Sequence, residues 1–510
     1  MNMHTPHPVR RAGAAHWAKS GGQPAIAIIG AGMSGIAAVV KLRQAGYTDV
    51  TVFEKADAVG GTWRENRYPG LSCDVPSRWY SFTFNLKPDW KHRFSYGPDI
   101  QAYMEETAEK FGVIPLVRFN TKVTDLTWEA PRWRLTTDTG DVEHYDVVIS
   151  ATGVLHKPAY PAIDGLDSFA GHMFHSARWE DGLDLSGKRV GIIGTGSTAA
   201  QIVGAITSKV GRMVVFQRTP QWMVPLPQTE YSAFTKWLLR TVPPLRKLIY
   251  NFYYRTTLRT FAAATTGDET RQQQIAETCR KHLEEAISDP VLREKLTPDY
   301  KAACKRLILC SDFYPAIASP NAELVTDAIT RIVPEGVETK DGHRHDLDVL
   351  ILATGFDAAS FILPTKVTGE NGRDLGAEWD GAPRAHRAVA MPGFPNFWML
   401  EGPTGPVGNL SLIIISERQV DYIISMLNRM RDDGLEAIAA RADAFERYNE
   451  DMKTQMPNTI WASGGCTSWY MDKTGTPNLY PFPPQRYLDD MHAPDFSEYR
   501  LIAETAPAGN

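Results

Sequence analysis

The stretch Ala25-Ile26-Ala27-Ile28-Ile29 runs directly into Gly30-Ala31-Gly32-Met33-Ser34-Gly35. A second stretch, Arg189-Val190-Gly191-Ile192-Ile193, runs in the same way into Gly194-Thr195-Gly196-Ser197-Thr198-Ala199. Each reads as an apolar strand, a glycine turn and the start of a helix. Such a turn presents bare backbone N–H groups and the positive end of a helix to a pyrophosphate. Alanine in the third glycine place of the second copy is a substitution the pattern allows. One glycine fingerprint is a weak signal, and two in the same strand-turn-helix setting are a strong one. The residue 24 positions after each first glycine differs in charge: Glu54 in the first copy, Arg218 in the second. An acid there accepts hydrogen bonds from a ribose diol, whereas an arginine pairs with a 2′-phosphate. Glu54 therefore fits the adenosine ribose of FAD or NAD, and Arg218 fits NADP. The fold class expected is α/β, with two Rossmann-like dinucleotide-binding domains.

Outward from these fingerprints, Asp146-Val147-Val148-Ile149-Ser150-Ala151-Thr152-Gly153 is echoed by Asp348-Val349-Leu350-Ile351-Leu352-Ala353-Thr354-Gly355. Each is an apolar strand running into Ala-Thr-Gly, the kind of strand that ends where a two-dinucleotide chain leaves one domain for the other. Crossings are expected near residues 157 and 325. The expected organisation is a loose leader over 1–22, an FAD-binding domain split over 23–156 and 325–510, and an NADP-binding domain over 157–227 and 298–324 inserted into it. Residues 228–297 read as a helical insertion, with one glycine, Gly267, and helical runs such as Glu269 to Ile287. Its first half sets Trp237, Leu238, Leu239, Leu245, Ile249, Tyr250, Phe252, Tyr253 and Tyr254 beside Arg246, Lys247 and Arg255. A packed face or the lip of an apolar pocket is the preferred reading of that pattern over contact with a membrane surface. A helix is expected around Ser416 to Arg431 and a Pro-rich loop near Pro477 to Pro484.

With 510 residues the chain exceeds one core and suggests two or three domains. A net charge of -5 and a pI near 6.2 give no general pull toward nucleic acid or anionic lipid. The five cysteines, Cys73, Cys279, Cys304, Cys310 and Cys466, show no CxxC pair or metal-ligand spacing. Their odd number argues against a disulfide framework and for a reducing, cytoplasmic compartment. No metal site is expected. The leader has no apolar h-region, and the longest apolar run, Ala25 to Val40, falls short of the ~20 residues a span requires. A monomer or small homo-oligomer is expected.

Between the fingerprints lies Phe169-Ala170-Gly171-His172-Met173-Phe174-His175-Ser176-Ala177-Arg178-Trp179, which satisfies F-x-G-x-x-x-H-x-x-x-W through Phe169, Gly171, His175 and Trp179. Such a pattern occurs by chance in this composition about once in a thousand chains. It resembles the signature of the type I Baeyer–Villiger monooxygenases, whose relatives, the flavin-containing monooxygenases, usually end it in tyrosine or phenylalanine. The family pattern often continues with proline or aspartate, where this chain has Glu180 then Asp181. The resemblance extends from about Ala25 to Tyr487. Gly60-Gly61-Thr62-Trp63 resembles the family's second FAD segment, which with Tyr80 adds to the FAD-binding set. Tyr68-Pro69-Gly70 followed by Cys73-Asp74 resembles the loop that brings an aspartate to the flavin. Lys305-Arg306 resembles the pair whose arginine lies over the isoalloxazine and whose lysine reaches the NADP 2′-phosphate. Gln217-Arg218-Thr219 resembles the companion phosphate-binding triplet, with Gln201 on the same nucleotide side, and Ser468-Trp469-Tyr470 the segment whose tryptophan contacts NADP.

What the resemblance implies is an enzyme in which NADPH reduces FAD and O2 adds to form a C4a-peroxyflavin. Its anionic form attacks a ketone, and the tetrahedral adduct rearranges to an ester or lactone, with sulfoxidation as a further activity. Negative charge develops on oxygen twice, so a permanently cationic, forked donor suits the site. That role is assigned to Arg306, with Asp74 holding the guanidinium and available to the nicotinamide amide. His175 and Trp179 are read as lying on the linker between domains, in a structural or domain-closing role. Cys73 is read as passive packing. Three alternatives stay open: an N- or S-oxygenase using the hydroperoxide, an NADPH-dependent flavin reductase or oxidase, and a non-enzymatic dinucleotide-binding protein.

Overall fold

The computed structural model describes Trp17, residues 22–408 and residues 410–503; apart from Trp17 and Gly22, the expected leader lies outside the described residues. Short, mostly apolar runs fold as parallel strands. In chain order these are β1 (Ile26–Ile29), β2 (Val50–Phe53), β3 (Val117–Arg118), β4 (Val147–Ser150), β5 (His172–His175), β6 (Arg189–Ile193), β7 (Arg212–Phe216), β8 (Ala322–Val325), β9 (Val349–Leu352) and β10 (Phe397–Met399). They form two five-stranded sheets, ordered β10-β4-β1-β2-β3 and β8-β7-β6-β9-β5. Both are parallel throughout, with Ile26 beside Val50 and Val147 in one and Val190 beside Val349 in the other. Of these strands, β1, β2, β4, β9 and β10 are buried along their whole length, as a sheet covered by helices on both faces requires. The mixed α/β class with Rossmann-type units is thus what the chain adopts.

The helices that bear on function are α1 (Met33–Gln44), α2 (Ser197–Ile206), α3 (Ala233–Thr241), α4 (Pro243–Arg259), α5 (Glu269–Ala286) and α6 (Leu412–Asp433). The last is longer than the sequence suggested and stops at Gly434, whose φ of 64° gives the left-handed cap that ends helices. α1 and α6 share the main core through residues such as Ile36, Val40, Val420 and Ile423, and Lys41 pairs with Asp421 at 2.9 Å at its edge.

The Ala-Thr-Gly echo has a physical basis. Asp146 accepts the Ala25 N–H at 2.7 Å and Asp348 accepts the Arg189 N–H at 2.8 Å, so each aspartate pins its strand to the fingerprint strand. At the other end, a Cβ on Gly30 would meet the Ala151 carbonyl oxygen at 2.6 Å, and one on Gly194 the Ala353 carbonyl oxygen at 2.4 Å. Both glycines have φ above 100°, a region closed to other residues.

Three expectations are corrected. The second crossing does not fall near residue 325, because β9 is an interior strand of the second sheet, flanked by β6 and β5; the chain remains in that unit until Gly355. The two crossings then run side by side, with Pro158 paired to Phe356 and the Ala159 N–H donating to the Gly355 carbonyl at 2.9 Å. The Phe169 to Trp179 motif is not linker, since His172–His175 is the edge strand β5. Finally, Cys304 and Cys466, 162 positions apart, form a disulfide with Cα atoms 6.1 Å apart. An odd count leaves three buried free cysteines, Cys73, Cys279 and Cys310, and no local spacing announces a pair closed by tertiary approach.

Residues 233–296 are largely helical, but the preferred packed-face reading holds for only part of them. Leu239 and Tyr250 are buried, while Phe234, Trp237, Leu248 and Phe252 are 56–67% exposed.

Candidate active site between the two nucleotide-binding units

The first fingerprint forms a clear cradle at the carboxyl end of β1, where open α/β sheets bind ligands. A Cβ on Gly35 would stand 2.0 Å from the Gly30 carbonyl oxygen, and one on Gly32 would touch the Gly61 Cα at 3.4 Å. That approach brings Gly60-Gly61-Thr62-Trp63 against the turn, secured by the Gly60 N–H to the Ala31 carbonyl at 3.1 Å. Buried Glu54 accepts the Ala31 and Ala56 N–H groups at 2.7 and 2.9 Å, which holds its carboxylate at the lip of the cradle. The residues present therefore fit a dinucleotide pyrophosphate and its ribose. Trp63 Nε1 donates to Tyr80 Oη at 3.0 Å, and burial lifts the Tyr80 phenol well above its ordinary value.

The second fingerprint repeats the cradle at β6. Thr195 Oγ1 donates to the Thr219 carbonyl at 2.9 Å, drawing the Gln217-Arg218-Thr219 segment against the turn. Gly196 and Ser197 open α2. Arg218 is exposed and lies near Lys305, whose ammonium is lowered by burial first and by the Arg218 charge second. Neither cation has an ion-pair partner among the described residues, so the pair suits an anion with two charges, such as a 2′-phosphate.

The two units meet through the loop carrying Asp74. Gly70, with φ of 82°, lies so close to α2 that a Cβ there would be 2.5 Å from the Gln201 carbonyl oxygen. Gln201, expected among the nucleotide-binding residues, uses both ends of its amide on this loop: it accepts from Tyr68 Oη at 3.0 Å and donates to the Ser72 carbonyl at 3.0 Å. The docked loop places Asp74 against Arg306, whose Nε and Nη2 donate to one carboxylate oxygen at 3.0 and 2.5 Å. Asp74 raises the guanidinium further above its ordinary value, so it stays cationic at any working pH. Beside Asp74, burial pushes the Cys73 thiol up, which makes it a packing group and a poor nucleophile.

Next to Arg306 is Tyr470, whose ring lies tilted against that of Trp469 with centroids 4.4 Å apart; Trp469 is 39% exposed. Both line an open recess with Val154, Phe361, Thr404 and Leu479. The Cys304–Cys466 disulfide ties the segment before Lys305-Arg306 to the segment before Trp469-Tyr470.

His175 is 1% exposed. Its Nδ1 accepts the Ala177 N–H at 3.1 Å, so Nε2 carries the proton given to the Gly355 carbonyl at 3.0 Å, and burial lowers its pKa. Its ring lies against Tyr160 on one crossing and Phe356 on the other. Gly171 leaves room for the Asp348 carbonyl and the Phe169 ring, and Trp179 packs edge-on to Phe174 at 5.1 Å. Arg178 reaches Glu65, at the end of the Gly60-Gly61-Thr62-Trp63 segment, at 2.9 Å. The motif therefore gathers the crossings and the two units without meeting the Asp74–Arg306 pair.

One group escaped the sequence reading. Glu401 is buried, accepts from Ser416 Oγ at 2.8 Å, and through the Ser416–Ser34 contact at 2.9 Å reaches the first fingerprint. Ser34 thus has its hydroxyl turned inward to α6. The sole sequence signal was an acid between an apolar strand and a Gly-Pro turn.

A family model described as flavin-binding monooxygenase-like matches residues 23–232. A monooxygenase of Mycobacterium tuberculosis, described as uncharacterized, is 42% identical over 486 residues, covering 95% of this chain and 98% of that protein. A Baeyer–Villiger monooxygenase of Streptomyces coelicolor is 38% identical over 487 residues, covering 95% and 93%. An oxidized steroid monooxygenase bound to NADP superposes with a TM-score of 0.84 at 28% identity, covering 94% of this chain and 100% of that one.

Proposed function

Because the chain belongs to the flavin-binding monooxygenase-like family, as an FAD- and NADP-dependent monooxygenase of Baeyer–Villiger type, we propose that it converts a ketone to an ester or lactone. The observation that carries this reading is the Asp74–Arg306 pair, assembled from opposite nucleotide-binding units at 2.5 Å beside Trp469-Tyr470. FAD, once reduced by NADPH, supplies the oxygen-transfer chemistry with O2. Gly30, Gly32, Gly35 and Glu54 hold that flavin nucleotide, with Gly61, Thr62, Trp63 and Tyr80 alongside. Gly194, Thr195, Gly196 and Ser197 hold the pyrophosphate of NADP, while Arg218, Thr219 and Lys305 receive its 2′-phosphate. Trp469, in the recess beside Tyr470, would contact the bound NADP.

Arg306 meets the negative charge that develops on oxygen during insertion. A guanidinium already neutralised on its Nε/Nη2 edge by Asp74 keeps a fixed orientation, and fixed donors need no reorganisation as charge appears. Asp74 is the orienting group and can accept from the nicotinamide amide. The loop from Tyr68 to Asp74 couples this pair to the second unit, so the pair is complete only when both units are in register.

The test mixes reduced holoprotein and NADP+ with O2 and then with a panel of ketones, thioethers and amines, following flavin absorbance and product mass together. Esters or lactones from ketones are the expected result. Oxygenation of thioethers or amines alone sinks the ketone reading, and hydrogen peroxide as the only product with every compound assigns the chain to oxidase chemistry.

A further inference from the structure

We propose that the solvent face of α3 and α4 docks on a membrane surface containing anionic lipids. From Tyr231 to Gly267 there is no aspartate or glutamate, while Lys236, Arg240, Arg246, Lys247, Arg255 and Arg259 are basic. This local excess stands in a chain whose net charge is -5. On α4 the exposed residues Pro244, Lys247, Leu248, Phe252, Arg255 and Arg259 recur three and four apart, which places them on one helical face. The opposite face is buried through Tyr250, which joins the main core. α3 shows the same division: Phe234 and Trp237 face out with rings 5.8 Å apart, and Leu239 is buried.

Scattered exposed hydrophobics are ordinary, but Phe234, Trp237, Leu248 and Phe252, each more than half exposed, sit on two consecutive helices among cations. That composition belongs to helices lying in the headgroup region, where rings and leucines enter the acyl boundary and lysines and arginines meet phosphate. Arg240 is engaged by Asp89 and Arg246 by backbone carbonyls, but Lys247, Arg255 and Arg259 have no ion pair among the described residues. Among those residues no helix is long and apolar enough to cross a membrane, so the contact is with the surface. A second copy of the chain suits the face poorly, since a two-fold contact would set these cations against one another.

The test sediments the flavin-loaded enzyme with vesicles of phosphatidylcholine and with vesicles of phosphatidylcholine mixed with phosphatidylglycerol. Binding to the mixed vesicles should exceed binding to the neutral ones by about tenfold and fall in high salt. The combined variant Phe234→Ser, Trp237→Ser, Leu248→Ser, Phe252→Ser, and separately Lys247→Glu, Arg255→Glu, Arg259→Glu, should each lose that binding while keeping wild-type flavin absorbance and circular dichroism. Wild-type protein that stays in the supernatant with both vesicle types overturns the proposal. So does undiminished binding by both variants. Concentration-dependent self-association abolished by Leu248→Glu assigns the face to a second copy and equally ends the lipid reading.

Discussion

Arg306 and Asp74 are separated by 232 positions, and their meeting is the contact on which the proposed chemistry rests. Replacing Arg306 with alanine removes the cation while leaving the first cradle intact. FAD content should therefore be unchanged and ester formation should fall by about 10²–10³-fold or more; a variant that still makes ester at the wild-type rate removes Arg306 from the mechanism. Arg218→Ala should raise the KM for NADPH by about 10–100-fold, a charged hydrogen bond's worth, and leave the KM for NADH nearly unaltered. Equal effects on both coenzymes would undo the phosphate assignment. Glu401 gives a pH prediction. Burial raises its carboxyl from 4.5 to about 7, so the folded state keeps a proton that the unfolded chain releases. Its contribution is fully present below pH 4.5 and is lost as pH rises through 7. That loss costs on the order of 3 kcal/mol once both states are ionised. Glu401→Gln should melt higher than wild type at pH 8, whereas at about pH 4, below the unfolded value of 4.5, the two should nearly coincide; a gap that does not widen with pH contradicts the burial argument.

Among the elements, those legible in the sequence carry their own local reason. The two fingerprints need glycine because the carbonyls of Ala151 and Ala353 fill the space where a side chain would stand, and that need is visible as spacing. The strand echo before Ala-Thr-Gly is visible as well, down to the aspartate that bonds the neighbouring strand's first N–H. What sequence could not supply was the partner of each strand. An apolar run such as Val349–Leu352 looks the same in either sheet, and only its pairing between β6 and β5 moves the return crossing to Gly355. The disulfide and the Glu401–Ser416–Ser34 chain were hidden for the same reason, since both join distant segments. Gly70 shows how an element depends on one small residue. Its φ of 82° and the 2.5 Å approach to the Gln201 carbonyl leave no room for a methyl group. Gly70→Ala should cost about 2–4 kcal/mol from strain and overpacking together. Because the loop ends at Asp74, ester formation should fall more steeply than FAD content. Wild-type melting and activity in that variant would show that the loop does not rest on α2.

Across the whole molecule, the two sheets are joined by two antiparallel crossings at 157–160 and 354–357, and the signature motif clamps them from β5. This places the motif's importance in the relation between units: His175 bonds the Gly355 carbonyl and packs on Tyr160 and Phe356, while Arg178 reaches Glu65 beside the first cradle. Burial lowers the imidazole pKa, which favours the neutral ring that donates to the Gly355 carbonyl. His175→Ala removes the hydrogen bond to the Gly355 carbonyl and opens a cavity between two aromatic rings, a local loss of about 2–4 kcal/mol. Amide hydrogens of residues 157–160 and 354–357 should then exchange faster, while those of β1 and β6 keep their protection, because the sheets themselves are untouched. Asp74 and Arg306 come from opposite units, so a loosened junction should also misalign them: more NADPH should end as hydrogen peroxide and less as ester, with FAD content constant. Faster exchange without a shift toward peroxide would make the motif a folding device alone, and a shift toward peroxide without faster exchange would place His175 at the reacting atoms after all.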